Sequence, residues 1–87
     1  MKEYQVDILS AAERQLKKLP HAAKAQAAAL LDGLARNPRP RECKQLQGPL
    51  KGYLRVRSGN VRVIYQVNER SIIVTVVAVG DRRDIYG

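Results

Sequence analysis

The stretch Gly52–Val67, GYLRVRSGNVRVIYQV, leaves the chain little choice of local structure. Two runs of alternating apolar and polar residues flank Ser58-Gly59-Asn60, the pattern of a β-hairpin with a tight turn. Leu54 and Val56 fall on one face of the first strand, with Tyr53, Arg55 and Arg57 on the other. In the second strand Val61, Val63, Tyr65 and Val67 share a face, opposite Arg62, Ile64 and Gln66. A Ser58-Gly59 loop sets Arg55 across from Arg62, and a Gly59-Asn60 loop sets Arg57 there. Either register gathers three arginines on one sheet face, although like charges directly across a sheet destabilise it. A face that keeps them together is suited to hold an anion between them, and phosphate is the anion expected.

Charge points the same way. Among 87 residues, sixteen Lys and Arg stand against eight Asp and Glu, a net charge of +8. So lopsided a balance in a small chain predicts a polyanionic partner. The length suits one domain over 1–87, and 45% hydrophobic residues suffice for one modest core. Cys43 is the one cysteine, which excludes an intrachain disulfide and fits a reducing cytoplasm. The N-terminal MKEYQVDILSAAER carries early charges and no long apolar run, so neither a signal peptide nor a membrane span is expected.

The remaining segments supply a partner layer. Tyr4–Leu9 alternates and reads as a first strand. Ser10-Ala11-Ala12-Glu13 has the spacing of a capping box, opening a helix to about Leu19 with Leu16 and Leu19 on its apolar edge. Pro20 separates it from a second helix over 21–36, where Ala23, Ala27, Leu30, Leu31 and Leu34 recur at helical spacing. Asn37-Pro38 ends that helix. Residues 39–48 read as connection, with Leu46 an anchor. Ser71–Val79, SIIVTVVAV, is apolar on both faces and belongs inside a sheet. The predicted fold is α+β, ordered β-α-α-β-β-β: a small antiparallel-rich sheet, an αα-hairpin on one face, and an open basic face.

Few kinds of chemistry survive. One histidine, one cysteine and scattered acids provide no metal-ligand cluster, and no glycine-rich nucleotide loop is present. His21 and Ser58 have surroundings that read as surface and turn. What remains is Lys51, Tyr53, Arg55, Arg57, Arg62, Arg82, Arg83 and Tyr86. Arginine forks match phosphate oxygens, and tyrosines stack on unpaired bases.

Over its whole length the chain resembles the RelE/ParE superfamily of bacterial toxins, and the RelE side most. The residues that carry the resemblance are Tyr4–Leu19, Lys44–Gly48 (KQLQG), Tyr53–Val67 and Val79–Tyr86 (VGDRRDIY). It implies a toxin of a type II toxin–antitoxin system, an mRNA interferase that enters the ribosomal A site and cuts the message. Implied partners are a cognate RelB-like antitoxin, the ribosome and mRNA, with a cytoplasmic location and no cofactor. By position it implies catalytic roles for Arg55, Arg62, Arg82 (or its neighbour Arg83) and Tyr86. Lys51, Tyr53, Arg57 and Arg83 fall to RNA binding. Arg55 stands where the family often has a lysine and Tyr53 where it has a second. A guanidinium keeps its proton at any relevant pH, so it stabilises charge but is a poor general base. The implied reaction is attack of a 2′-hydroxyl on the adjacent phosphate. The alternative is a ParE-like toxin that inhibits DNA gyrase by contact alone.

Overall fold

The computed structural model describes residues 3–81. Strand β1 (Gln5–Ile8) leads into α1 (Ser10–Lys18) and α2 (His21–Arg36). A short β2 (Lys44–Gln45) and a 3₁₀ turn (Gly48–Leu50) precede β3 (Leu54–Ser58), β4 (Val61–Asn68) and β5 (Ile73–Asp81). The sheet runs β1-β5-β4-β3-β2, antiparallel except for the parallel β1–β5 pair. The α+β class, the element order and the helices on one face agree with the sequence reading.

The register explains which face is covered. Directly paired residues share a face, so Val63 with Val79, Tyr65 with Val76, and Val56 with Val63 form one apolar surface. Val6 and Ile8 extend it through their pairing with Val74 and Val76. Ala12, Leu19, Ala27 and Leu34 from the helices close over it in one buried cluster. Alanine at 12 and 27 lets the helix backbones approach closely, which is how so short a chain completes a core. Burying each Val or Leu side chain contributes about 1.5–3 kcal/mol.

Four local expectations are corrected. Ser10 does not cap α1: Leu9 is the N-cap, without a side-chain cap bond. The Leu9 N–H donates to the Val76 carbonyl at 3.0 Å while its own carbonyl accepts from Glu13, so strand runs straight into helix. Residues 44–45 form an edge strand on β3 where only connection was expected. β5 begins at Ile73, because Ile72 (φ 59) lies in the left-handed region and completes the turn. The strand also continues through Gly80 and Asp81, which pair with Arg62 and Val61. A register shift at Ile64/Tyr65 leaves Val77 as the extra residue of a β-bulge.

Asn37 ends α2, as expected, its N–H donating to the Gly33 carbonyl. Just beyond it, the Pro38 carbonyl accepts a 2.7 Å bond from the Tyr65 hydroxyl. That bond pins the α2–β2 connection to the centre of the sheet.

Candidate nucleic-acid interface

The β3–β4 loop decides how the arginines meet. Gly59 has φ +59, and Asn60 remains at negative φ, so the two-residue loop follows the II′ pattern with glycine first. This loop selects the second of the two possible registers: Arg57 lies directly across from Arg62, and Ser58 from Val61. Side chains so placed have Cβ atoms about 4.5–5.5 Å apart.

Two rows cross the face that the helices leave uncovered. One contains Gly80, Arg62 and Arg57; the other contains Ala78, Ile64, Arg55 and Lys44. They lie about 7 Å apart, two residues along a strand. β5 contributes only Gly80 and Ala78 to these rows, so the long side chains all come from β2, β3 and β4. Arg57 is exposed; Arg55 and Arg62 are half-buried, and the Arg62 Nε is fully enclosed. Ile64, 3% exposed, is the buried apolar member of the second row and stands outside the helix-facing core.

Lys44 and Arg41 were missed by sequence reasoning. With Glu42, Cys43, Arg55 and Arg57 they line a groove of about 290 Å³ at the β2 end of the arginine face. Four basic side chains against one acid make it a site for anions. The signal available was the polar Lys44-Gln45 pair ahead of the hairpin, too short to register as a strand by alternation.

Lys51 and Tyr53 fall elsewhere. Gly52 (φ +96) breaks the extended run, so Lys51 sits in a turn and does not continue the Arg55–Arg57 row. Both line a separate cleft of about 360 Å³ with Arg39, Gln45, Gln47 and Leu54 among its walls. Arg82, Arg83 and Tyr86 lie outside the described residues. Of the predicted set, the structure therefore brings together Arg55, Arg57 and Arg62, and it separates Lys51 and Tyr53 from them.

Tyr65 is a structural group here. Burial pushes its phenol far above the usual tyrosine range, and the nearby Cys43 thiol adds to the shift. It stays protonated and donates to Pro38, beneath the hairpin on the face away from the arginines. Among the described residues, no three His, Cys, Asp or Glu side chains are grouped to hold a metal, and no helix is long and apolar enough to cross a membrane. The interface can bind and stabilise concentrated negative charge through fixed donors.

The family described as the ParE toxin of type II toxin-antitoxin system, parDE, matches residues 6–86. No curated protein matches the chain. Among solved structures, the toxin–antitoxin complex RelBE2 from Mycobacterium tuberculosis contains a chain 30% identical, with TM-score 0.85 and 97% of each chain covered. The archaeal RelE–RelB complex from Pyrococcus horikoshii OT3 contains one 30% identical, with TM-score 0.78, covering 94% of this chain and 98% of that one. The isolated E. coli RelE toxin, 24% identical, shares the fold with TM-score 0.76 over 90% of this chain and 83% of its own. The match spans nearly all of the sequence, hairpin and helices alike, and the chain belongs to the RelE/ParE superfamily of toxins of type II toxin–antitoxin systems, as a RelE-like member.

Proposed function

We propose that the chain is a ribosome-dependent endoribonuclease that cleaves mRNA in the ribosomal A site. One observation carries this reading: Arg57 and Arg62 are direct partners across the uncovered sheet face, with Arg55 and Lys44 in the next row. Like charges directly across a sheet repel one another, and the phosphate undergoing attack by a 2′-hydroxyl would add negative charge between them. As the 2′-oxygen bonds to phosphorus, the bond to the next nucleotide's 5′-oxygen breaks, leaving a 2′,3′-cyclic phosphate and a 5′-hydroxyl. Negative charge grows on the non-bridging oxygens during this exchange, and the Arg62 and Arg55 guanidinium groups stabilise it. Arg57, Lys51, Tyr53 and Arg83 hold the RNA. Arg82 and Tyr86 complete the catalytic set, the tyrosine stacking on a base, orienting the nucleophile or moving a proton.

No histidine or carboxylate stands among the described residues of the arginine rows, and alignment of the message contributes much of the rate. The ribosome provides that alignment. A RelB-like antitoxin restrains the toxin in the cytoplasm, by analogy with the RelBE2 and RelE–RelB complexes. Purified protein added to translating ribosomes should yield discrete A-site fragments in primer extension, and Arg62→Ala should suppress them.

A second reading has its own support, since the matching family is described as the ParE toxin. In that reading the chain inhibits DNA gyrase by contact and cuts nothing. A supercoiling assay with purified gyrase separates the two: inhibition without mRNA fragments favours the ParE-like activity.

A further inference from the structure

Two clefts flank the edge strand β2, and its two residues divide between them. Lys44 pairs with Arg55 and lines the arginine groove, whereas Gln45 pairs with Leu54 and lines the cleft that holds Lys51 and Tyr53. β2 is only two residues long and ends the sheet, so a flexible strand leaving the groove reaches the second cleft by passing round that edge.

The second cleft has a composition unlike the first. Its charge is modest: Lys51 is a cation at the rim, while Arg39 is held by Glu69 through a 3.1 Å ion pair. Its lining includes Tyr53, a half-buried residue, and two exposed amide residues, Gln45 and Gln47. Each glutamine offers a carbonyl acceptor and an NH₂ donor. A carboxamide can pair with both N6–H and N7 of adenine, and a tyrosine ring stacks on an unpaired base. Leu46, Leu54 and Val67 supply apolar wall. The volume of about 360 Å³ falls in the range of small-molecule sites and accommodates one nucleotide.

We propose that this cleft is a nucleobase subsite that takes one unpaired base of the RNA passing through the arginine groove, favouring adenine through Gln45 and Gln47, with Tyr53 as the stacking platform. It deepens the ribonuclease reading and rests on it for the identity of the polymer, while the subsite is measurable without any cleavage. It assigns the glutamines the role of specificity determinants beside a phosphate site that has none.

The test is NMR titration of the full chain with inorganic phosphate, with AMP, GMP, CMP and UMP, and with the RNA trinucleotide ApApA. Inorganic phosphate should move resonances of the arginine groove only. AMP should in addition move the Gln45 and Gln47 side-chain amides and the Tyr53 ring, and should bind more tightly than UMP. Tyr53→Leu should weaken AMP binding by roughly 5- to 100-fold, as loss of one base stack does. Tyr53→Phe should restore it, which separates stacking from misfolding. Gln45→Leu combined with Gln47→Leu should level AMP with UMP. ApApA should move both sets of resonances and bind at least about tenfold more tightly than AMP, as two linked contacts do. Nucleotides that move only the phosphate-sensitive resonances, or an AMP affinity indifferent to Tyr53→Leu, would overturn the subsite. Equal affinity for AMP and ApApA would assign the cleft to a free nucleotide and overturn the strand path. A protein that binds AMP in the cleft but never cuts mRNA on ribosomes defeats the nuclease reading alone; one that cuts while the cleft stays silent defeats the subsite alone.

Discussion

Arg57 and Arg62 are direct cross-strand partners on the sheet face that the helices leave bare. Like charges set directly across a sheet repel one another, a cost that an anion lying between the two side chains would relieve. Arg57, the exposed member, is the one whose removal isolates that cost.

Arg57→Thr should stabilise the free protein by about 0.2–1 kcal/mol, the range of cross-strand pair effects. Threonine keeps the strand propensity and removes the repulsion. The gain should shrink at high salt, because screening already weakens the like-charge contact. Urea unfolding of both proteins at low and high ionic strength measures it. A loss of stability at both would mean that the arginine pair is not repulsive in the fold.

Arg62 differs from Arg57 in being half-buried with an enclosed Nε, so it is not the simple surface charge that its place in an alternating strand suggests. Arg62→Lys therefore belongs beside Arg62→Ala: the lysine keeps the charge and loses the planar fork. Both should lower ribosome-dependent cleavage by about 10²- to 10³-fold, the size of effect that follows loss of one transition-state donor. Antitoxin binding should survive in the lysine variant. Full toxicity of either variant would remove Arg62 from the catalytic set.

Tyr65→Phe should cost about 1–2 kcal/mol, because the Pro38 carbonyl loses its buried donor. A pH signature accompanies it. Folding raises the Tyr65 pKa, so the folded state holds the proton more firmly than the unfolded state. That contribution is fully present below ~10, the unfolded tyrosine value, and is lost as pH rises above it. Wild-type stability should thus fall between about pH 10 and 11.5 more steeply than that of Tyr65→Phe, in denaturant melts across that range. Parallel curves would show that the phenol ionises as easily in the fold as out of it.

Where alternation was long, sequence alone was enough. Val61, Val63 and Tyr65 face the helices, and the Ala- and Leu-rich stripe of α2 buries Ala27 and Leu34. The choice between two loop registers lay beyond it, since both placed the valines inward; the φ of Gly59 made the choice. The Ser10 capping pattern misled because β1 runs unbroken into α1, leaving Leu9 at the cap. β2 has no periodicity to read in two residues. Its position depends on pairing with a strand ten residues later, and with it went Lys44. Lys51 stands apart from the Arg55–Arg57 row because of one glycine, Gly52, whose positive φ no alternation rule anticipates.

Free RNA and ribosome-bound RNA should behave differently with this protein. Arg55, Arg57, Arg62 and Lys44 occupy two adjacent rows; if bound single-stranded RNA sets two or three phosphates against them, log K should fall with log salt at a slope of about −1.4 to −2. Lys44→Ala should reduce that slope by about 0.7. Yet free RNA seldom aligns its 2′-hydroxyl with the neighbouring phosphate, and these cations do not impose the alignment. A message held by the ribosome arrives already bent, and good alignment can lower a barrier by roughly 7–11 kcal/mol. Bound free RNA should therefore remain intact over hours in gel assays while translating ribosomes yield fragments within minutes. Equal cleavage with and without ribosomes would place the catalytic power in the protein's own side chains and require a general base among them.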